Sequence, residues 1–314
     1  MTKDELYDVI IIGGGPAGLT AGIYAMRAAL KTVLVERGMF GGQVSITKDV
    51  ENYPGMIEVS GFELSEKFLQ HAKSYDLEIM EKEVVGVDPG VEYHTVKLQD
   101  GTLLKGHVVI LAAGGTAKKL SVPGEEENFG KGVSYCATCD GFFFRNKVVT
   151  VVGGGDTALE DALYLAKITE KVYLIHRRDE FRGSRILQQR VFAEPRIEIV
   201  FNAVVSEVLA DETGVIGVAL KSTKNDDTWE LKTDGVFIFV GFSPNNQLVP
   251  AGIKTNTSGY VITDEKCATS IPGIFAVGDL RQKYANQIVL AAADGCTAAL
   301  AAAHYVETCK DSSS

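Results

Sequence analysis

The hydrophobic pattern near the start of the chain predicts a βαβ unit. YDVIII (residues 7–12) is a nearly continuous apolar run, which is typical of a parallel strand buried on both faces. A glycine-rich turn follows at residues 13–18, and LTAGIYAMRAA (19–29) then predicts an apolar helix. A second apolar run, TVLVE, ends at Glu36. Strand, turn, helix and strand in this order predict two parallel strands joined by a crossover helix.

The same pattern returns later in the chain. KVVTVV (147–152) leads into a second glycine turn, the helix LEDALYLAKI (159–168) follows, and KVYLIHRR (171–178) is the next strand. The two glycine turns begin 140 positions apart, at 13 and at 153 (153 − 13 = 140). A single repeat on this scale predicts two Rossmann-like three-layer α/β domains and not a solenoid.

Stretches rich in turn-forming residues suggest where these domains begin and end. The segment SVPGEEENFGKG (121–132) is rich in Pro, Gly and Glu, which favours a connection. The residues after about 245 hold one further strand, GIFAVGD (273–279), and a long helix, but no third glycine turn. They are too few to fold alone, so we expect them to complete the first domain. We therefore predict a discontinuous domain, 1–117 with 245–314, and an inserted domain, 118–244.

The first glycine turn has the GxGxxG form. Gly13 permits the tight turn, Gly15 lets a pyrophosphate approach the backbone, and Gly18 lets the helix pack against the strand. The phosphates then meet the positive end of the helix. A glycine-rich turn in an unrelated α/β fold is the alternative, which the flanking strand and helix disfavour. The turn residues predicted to bind a dinucleotide are Gly13, Gly15, Pro16, Ala17 and Gly18.

The residues that end the second strand of each unit differ in charge. Glu36 is placed to accept hydrogen bonds from a ribose with a free 2′-hydroxyl. The second unit has His176-Arg177-Arg178 there, with Arg182 just beyond, and guanidinium groups pair well with a 2′-phosphate. A solvated basic strand end is the alternative. We predict NADPH at the second site, with contacts from Gly153, Gly155, Asp156, Thr157, Ala158, His176, Arg177, Arg178 and Arg182.

The first site then suits FAD or NAD. A nicotinamide site and another dinucleotide site in one chain imply electron transfer between them. FAD is the natural second cofactor, because a flavin accepts a hydride and can pass two electrons to a disulfide.

Two of the five cysteines, Cys136 and Cys139, form a CxxC pair inside the second domain. Zinc needs four ligands, and neither the other cysteines nor the histidines supply the rest at a usual spacing. A static disulfide closing so short a loop would constrain the unfolded chain little. The redox interpretation remains, in which one thiolate attacks a disulfide and the other resolves the mixed disulfide that forms. Asp140 is either a proton donor and acceptor for this chemistry or an ordinary helix-capping or surface carboxylate; both interpretations stay open.

Composition narrows the class of protein. The chain has 314 residues, a net charge of −10 and a pI near 5.1, which argues against nucleic acid or an anionic membrane as a main partner. The odd cysteine count does not fit a secreted disulfide framework. QIVLAAADGCTAALAAAHYV (287–306) is long enough to span a membrane, but Asp294 and the many alanines favour a buried helix. We expect a cytoplasmic protein without a signal peptide.

Six motifs together resemble a known family. IIGGGPAG (11–18), GGQ with VENYPG (41–55), CATCDG (136–141), GGGDTALEDA (153–162), HRRDEFR (176–182) and GIFAVGD (273–279) occur in the order and spacing of low-molecular-weight, bacterial-type thioredoxin reductases. These enzymes belong to the pyridine nucleotide-disulfide oxidoreductase superfamily. The resemblance extends from about residue 7 to 306.

The resemblance implies an NADPH-dependent thioredoxin-disulfide reductase, a flavoprotein homodimer with FAD- and NADPH-binding domains. It implies that Cys139 faces the flavin, that Cys136 attacks the disulfide of thioredoxin, and that Asp140 is the acid/base. It also implies that one domain rotates against the other, for which crossings near 116–120 and 241–246 could act as hinges. The residues it implies for the FAD site are Glu36, Gly42, Gln43, Thr47, Asn52, Gly278, Asp279, Gln287 and Ile288.

Some alternatives and departures remain. The electron donor could be NADH or ferredoxin, the partner could be another small disulfide protein, or the chain could be a non-catalytic redox sensor. ILAAGG (110–115) stands where the family often has an ATG-containing strand end, and Asn286 stands where an arginine often precedes the glutamine. We expect these two differences to alter the flavin potential or FAD affinity.

Overall fold

The computed structural model describes residues 6–47, 49–50 and 52–311, apart from the side chains of Asp49, Thr138, Cys139, Phe242 and Asp311. The chain divides into two compact units, residues 1–116 with 243–314 (unit 1) and residues 117–242 (unit 2). Unit 2 is therefore one continuous stretch of sequence, inserted between the two sequence segments of unit 1.

The described elements follow one another in this order. The strands are β1 (Leu6–Ile12), β2 (Thr32–Glu36), β3 (Asp49–Val50), β4 (Val59–Ser60), β5 (Glu78–Glu81), β6 (Val84–Asp88), β7 (His94–Leu98), β8 (Leu103–Leu111), β9 (Gly115–Ala117), β10 (Val133–Ser134), β11 (Val148–Gly153), β12 (Lys171–His176), β13 (Ile197–Phe201), β14 (Ala203–Asp211), β15 (Gly214–Ser222), β16 (Thr228–Lys232), β17 (Gly235–Phe239), β18 (Phe242–Pro244) and β19 (Ile274–Ala276). The α-helices are α1 (Pro16–Arg27), α2 (Gly61–Lys73), α3 (Ala137–Asp140), α4 (Asp156–Ile168), α5 (Arg185–Ala193) and α6 (Ile288–Asp311), and the 3₁₀ helices are Gly42–Val44, Gly141–Phe144, Asn246–Leu248 and Gly278–Leu280.

Unit 1 is built on a seven-stranded mixed sheet. Its order is β5-β2-β1-β8-β7-β6, and β19 also pairs with β8. β1, β2, β5, β8 and β19 are parallel neighbours, whereas β6 and β7 continue the sheet antiparallel. Because β19 comes from the segment after residue 243, both segments of unit 1 contribute to the same sheet.

Strand β1 explains why its sequence is almost wholly apolar. Val9 and Ile11 belong to the core between the sheet and helices α1 and α6. Ile10 and Ile12 belong to a second core on the opposite face of the sheet. All four are buried, so this strand cannot alternate apolar and polar residues as a half-exposed strand would.

Unit 2 repeats the parallel arrangement. Its five-stranded sheet has the order β10-β17-β11-β12-β13 with every pair parallel, and a three-stranded antiparallel sheet, β14-β15-β16, accompanies it. Val149 and Val151 pack in the core that includes α4, while Val152 packs in the core that includes the antiparallel sheet. The predicted class, two Rossmann-like α/β domains with one inserted into the other, is confirmed.

Helix α6 is buried on one face only. Ala298, Ala299 and Ala302 are almost fully buried, and a Cβ at Gly295 would lie 2.1 Å from the carbonyl oxygen of Ala17 on α1. Leu300 is 56% exposed, so the prediction of a buried helix is wrong for that face. Helix residues Ile288–Lys310 contain an 18-residue stretch with a mean hydropathy of 1.3, so they are long and apolar enough to cross a membrane, although a core helix packed on one face passes the same test.

His94 on β7 makes the stability of unit 1 depend on pH. The ring is 2% exposed, and burial lowers its pKa, an effect that His107 reinforces and the Pro272 carbonyl opposes. In the unfolded chain His94 binds a proton near its ordinary pKa of 6.5, but in the folded chain only at lower pH. The unfolded state therefore gains protons first as pH falls, and stability is lost below about pH 6.5.

This prediction is tested by urea unfolding at pH 7.5 and pH 5.5. We expect a smaller loss of stability on acidification in His94→Gln than in wild type, whereas His71→Gln, at an exposed position, should behave as wild type. Equal losses of stability in all three proteins would show that other groups control the loss of stability at acid pH.

Candidate functional site

The first glycine turn has the geometry that a dinucleotide pyrophosphate requires. Gly13 has φ +111°, and a Cβ there would lie 2.4 Å from the carbonyl oxygen of Ala112. A Cβ at Gly18 would lie 1.9 Å from the carbonyl oxygen of Gly13, so strand and helix pack together without a side chain between them. A Cβ at Gly15 would meet nothing within 4 Å, because this position, just before α1, faces open space. A phosphate group can therefore approach the backbone there.

Glu36, at the end of β2, folds back onto this turn. Its carboxylate accepts hydrogen bonds from the amide of Gly14 at 2.6 Å and from the amide of Gly38 at 2.8 Å. The side chain is half-buried, and each oxygen keeps a lone pair for another donor. Glu36 therefore both stabilises the turn and presents a carboxylate where a ribose hydroxyl is expected.

Several other residues predicted for the first site converge on the same turn. A Cβ on Gly42 would lie 3.7 Å from the Cα of Gly15, and one on Gly278 would lie 3.1 Å from the Cβ of Ala17. These contacts bring two other segments of unit 1 to the N-terminus of α1, where Pro16 is the first residue.

The remaining predicted residues of this site lie on the segments around it. Asn52 donates a hydrogen bond to Gln287 at 3.2 Å, across 235 positions of sequence. The hydroxyl of Thr47 bonds the carbonyl of Gln43 at 3.1 Å. Ile288 begins α6 and packs against a small core around Val44. No described contact joins the side chains of Asn52 and Gln287 directly to Gly15.

Gly15→Ala tests the open space at the first turn. Its φ of −77° suits alanine, so the fold should be retained with a change in stability within about 0.5 kcal/mol. The added methyl group would occupy the phosphate position, and we expect flavin affinity to fall about tenfold or more. Flavin content and the cofactor-free unfolding midpoint measure the two effects. Gly86→Ala in β6 is the matched control, and wild-type flavin affinity in Gly15→Ala would contradict the assignment.

An ionic network that the sequence analysis did not predict supports the Gly278-Asp279 turn. The amide of Gly278 donates to Asp294 at 3.1 Å, and Arg281 donates to the same carboxylate at 2.7 Å. Lys283 lies 3.3 Å from both Asp294 and Asp279. Burial raises the pKa of Asp279, an effect that Lys283 opposes. The signal in the sequence was a lone acid in the apolar segment 287–306, used there only to argue against a membrane span.

The second glycine turn, in unit 2, matches the first. A Cβ at Gly153 would lie 2.5 Å from the carbonyl oxygen of Phe239 and 2.6 Å from the Cβ of Ala158, whereas one at Gly155 would meet nothing within 4 Å. Asp156 begins α4, and its carboxylate accepts the amide of Ser184 at 2.5 Å. Thr157, the next residue of the helix, is exposed. This turn therefore also leaves room for a phosphate at a helix N-terminus.

His176 takes the position in unit 2 that Glu36 has in unit 1. Its Nδ1 lies 2.9 Å from the carbonyl oxygen of Gly153, so Nδ1 is the donor in this hydrogen bond. Burial lowers the pKa of His176, with the charges of Arg182 and Arg177 acting in the same direction. A neutral imidazole therefore bonds the second turn at the position that corresponds to the carboxylate of Glu36 in unit 1.

The predicted arginines lie beside this turn. Arg177 and Arg178 directly follow β12 and are exposed, and Arg182 is exposed on the segment before α5. The amide of Arg182 donates to the carbonyl of Gly154 at 2.8 Å, which fastens its segment over the turn. Among the described residues, no ion pair involves these three guanidinium groups. They form a basic surface where the 2′-phosphate was predicted.

The CxxC segment lies between β10 and the 3₁₀ helix Gly141–Phe144. Cys136 is disulfide-bonded and immediately precedes α3, and the amide of Asp140 donates to the Cys136 carbonyl at 3.2 Å. Cys267, Cys296 and Cys309 form no disulfide bond in the described structure. The side chain of Cys139 lies outside the described residues, so its pairing with Cys136 stays a prediction.

The cysteines outside the CxxC segment lie in buried or half-buried positions. Cys267 is 1% exposed, and burial raises its pKa to about 11, so it is a thiol at neutral pH. Cys296 and Cys309 are half-buried on α6. Among the side chains that the structure describes, no three His, Cys, Asp or Glu residues group as metal ligands would.

With this geometry established, comparison with known proteins identifies the class. The profile of the pyridine nucleotide-disulphide oxidoreductase family matches residues 7–295, and the chain belongs to that family. The family assignment makes the protein an oxidoreductase that uses a flavin and a pyridine nucleotide.

Within this family, the chain is similar over nearly its full length to thioredoxin reductases. The chain is 46% identical to the thioredoxin reductase of Bacillus subtilis (strain 168), over 98% of this chain and 97% of the relative. It is 44% identical to the thioredoxin reductase of Listeria monocytogenes serovar 1/2a, over 99% and 97%. The crystal structure of Lactococcus lactis thioredoxin reductase in its FR conformation superposes with a TM-score of 0.94 at 42% identity, over 96% of this chain and 99% of that one.

Proposed function

We propose that this protein is a thioredoxin reductase that transfers electrons from NADPH, through FAD and the Cys136/Cys139 pair, to the disulfide of thioredoxin. The observation that carries the proposal is the content of unit 2: a phosphate-binding glycine turn flanked by exposed arginines, and a disulfide-bonded cysteine in a CxxC segment. The full-length similarity to thioredoxin reductases supports the same conclusion.

FAD is proposed for unit 1. Gly15 would admit the pyrophosphate of FAD, and Glu36 would accept a hydrogen bond from the adenosine ribose. The carboxylate of Asp279 would accept a hydrogen bond from a hydroxyl of the ribityl chain. Gly42, Gln43, Thr47, Asn52, Gln287 and Ile288 would line the rest of the site. When bound, FAD would take up two electrons from the nicotinamide and deliver them to the disulfide. The open space at Gly15 and the free lone pairs on Glu36 support this fit.

NADPH is proposed for unit 2. Gly155 would admit the pyrophosphate, with Asp156, Thr157 and Ala158 at the N-terminus of α4. Arg177, Arg178 and Arg182 would bind the 2′-phosphate by charge-assisted hydrogen bonds. Because His176 stands where unit 1 has Glu36, the end of β12 presents no carboxylate to that phosphate.

The proposed chemistry of the cysteines is thiol–disulfide exchange. Reduction of the Cys136/Cys139 disulfide yields two thiols, and the Cys136 thiolate attacks one sulfur of the thioredoxin disulfide. The other thioredoxin sulfur leaves as a thiolate, and Cys139 then attacks the mixed disulfide, which releases reduced thioredoxin. Asp140, at the end of α3, is the proposed proton donor and acceptor in these steps.

A protein partner is supported by the surface beside the CxxC segment. Phe142 and Phe143 follow Asp140 directly and are 69% and 71% exposed. Two adjacent exposed aromatic rings are typical of a protein-binding surface. We propose a cytoplasmic location from the acidic composition. We propose a homodimer because α6 leaves Val289, Leu290 and Leu300 exposed.

An anaerobic titration tests the proposed electron path. NADPH is expected to bleach the visible flavin band, NADH to bleach it poorly, and oxidised thioredoxin to restore it. If NADPH leaves the band unchanged, the donor is different, and reduced ferredoxin is the next donor to test. If the band bleaches but thioredoxin cannot restore it, the partner is wrong. A redox sensor would show no catalytic consumption of NADPH with any disulfide protein.

A further inference from the structure

A buried carboxylate lies close to Cys136 in unit 2, and the proposed chemistry does not use it. Glu125 is 2% exposed. Its carboxylate accepts the amides of Leu120 at 2.9 Å and Ser121 at 2.6 Å, and the amide of Val122 lies at 3.4 Å. None of the ion pairs found among the described residues includes Glu125. Backbone amides and one phenol are thus what stabilises this buried charge.

The backbone around Glu125 is shaped to surround a carboxylate. Ser121 has φ +60° and Gly124 has φ +79°, which turns successive amides towards one point. A non-glycine residue with a left-handed backbone costs free energy, so the hydrogen bonds to Glu125 must offset that cost. The carboxylate is therefore required by this loop and does not merely fill it.

The fourth donor connects Glu125 to the redox segment. The hydroxyl of Tyr135, the residue before Cys136, donates to Glu125 at 2.7 Å. Burial, together with this hydrogen bond, raises the pKa of Tyr135, which stays a donor at neutral pH. Ser134 adds a second restraint, since its Oγ accepts the Cys136 amide at 3.0 Å and lies 3.1 Å from the Cys136 carbonyl oxygen.

These hydrogen bonds connect two stretches of chain through Glu125. Leu120, Ser121 and Val122 lie just after the point at which the chain enters unit 2, and Tyr135 directly precedes the cysteine. The backbone of Cys136 is thereby held from its N-terminal side by two side chains that are independent of its disulfide bond. A preorganised cysteine is what rapid exchange and a defined disulfide potential require.

We propose that Glu125 is a positioning residue for Cys136 that acts through Tyr135. The inference rests on the proposed function only in taking Cys136 as a redox-active cysteine. Loss of the Glu125–Tyr135 bond should let the segment move, lower the effective concentration of one thiol towards the other, and slow attack on the partner.

The test compares Glu125→Gln, Tyr135→Phe and their combination in the holoenzyme. A glutamine offers one acceptor oxygen in place of two and turns an NH₂ group towards a donor, so part of the arrangement must break. Glu126→Gln is the matched control, because the side chain of Glu126 is 82% exposed and, among the described residues, forms its ion pair with exposed Lys119 at 3.1 Å. The potential of the Cys136 disulfide is measured in dithiothreitol buffers by alkylation and mass spectrometry, beside kcat and KM for thioredoxin and the rate of flavin bleaching by NADPH.

We expect about a tenfold fall in effective thiol concentration in Glu125→Gln, which raises the potential by about 30 mV. We also expect about a tenfold fall in kcat for thioredoxin, with KM and flavin bleaching unchanged. Tyr135→Phe should also raise the potential and lower kcat. The combined variant should be no worse than Glu125→Gln, because Glu125 and Tyr135 act through one hydrogen bond.

Two results would overturn the proposal. One is a potential and kcat in both single variants equal to those of Glu126→Gln. The other is an equal slowing of flavin bleaching, which would indicate general loss of structure. If Glu125→Gln fails to fold, Tyr135→Phe alone decides. If the wild-type protein does not reduce thioredoxin, the proposed function fails, whereas the potential still decides the role of Glu125.

Discussion

Cys136→Ser is expected to abolish thioredoxin reduction, by more than about a thousandfold, while NADPH still bleaches the flavin at the wild-type rate. Serine has no sulfur, so neither the internal disulfide nor the mixed disulfide with the partner can form. The nucleotide turns lie in other segments and do not depend on this sulfur. Cys139→Ser should have the same effect, because exchange requires both members of the pair.

The assay follows thioredoxin turnover and anaerobic flavin bleaching in the same preparation. Cys296→Ser is the matched control, since Cys296 is a free, half-buried cysteine on α6, and it should leave both rates unchanged. Retained turnover in Cys136→Ser would rule out the proposed route through this pair. Loss of bleaching as well would place Cys136 in the nucleotide or flavin step.

The combined change Arg177→Ala with Arg178→Ala is expected to raise the Kd for NADPH more than about a hundredfold and to leave NADH nearly unaffected. Each charge-assisted hydrogen bond to the 2′-phosphate contributes about 1.5–3 kcal/mol, and about 1.4 kcal/mol corresponds to a tenfold change. Both side chains are exposed beside the second glycine turn, so their removal leaves no unpaired buried group.

Flavin bleaching at graded concentrations of NADPH and NADH measures the effect. Lys221→Ala with Lys232→Ala removes the same charge from the exposed β15–β16 hairpin of unit 2, and is therefore the control for a general electrostatic effect. A similar loss for both nucleotides would mean that the arginines contact a part common to NADPH and NADH. A similar loss in the lysine control would mean that only the overall charge matters.

The two largest predicted effects concern residues with very different surroundings. The arginines lie on an exposed surface and are proposed to bind the nucleotide directly. Cys136 depends on neighbours that hold its backbone, among them Ser134 and the buried pair Tyr135 and Glu125. We therefore expect that specificity for the nucleotide can be changed without disturbing the fold, whereas changes at residues that never touch a substrate should affect the redox segment.

Local sequence was sufficient for much of the candidate site. The roles of Gly13, Gly15 and Gly18 follow from a turn that is built by consecutive residues, so their spacing alone predicts which positions are closed and which is open. The contrast between Glu36 and His176 was equally visible, because each ends a strand at a fixed distance after its glycine turn. The α/β class followed from nearly continuous apolar strands that alternate with helices.

Tertiary structure alone decided the contacts between distant segments. The buried carboxylates of Glu125 and Asp294 appear in the sequence as ordinary acids, since hydrophobic periodicity does not reveal which amides or guanidinium groups a fold brings to them. The single buried face of α6 was also undetermined, because an alanine-rich helix is apolar all round and only packing against α1 selects a side. Sequence by itself thus determined the class, the turns and the candidate chemistry, whereas the positions of buried charges were decided by long-range packing.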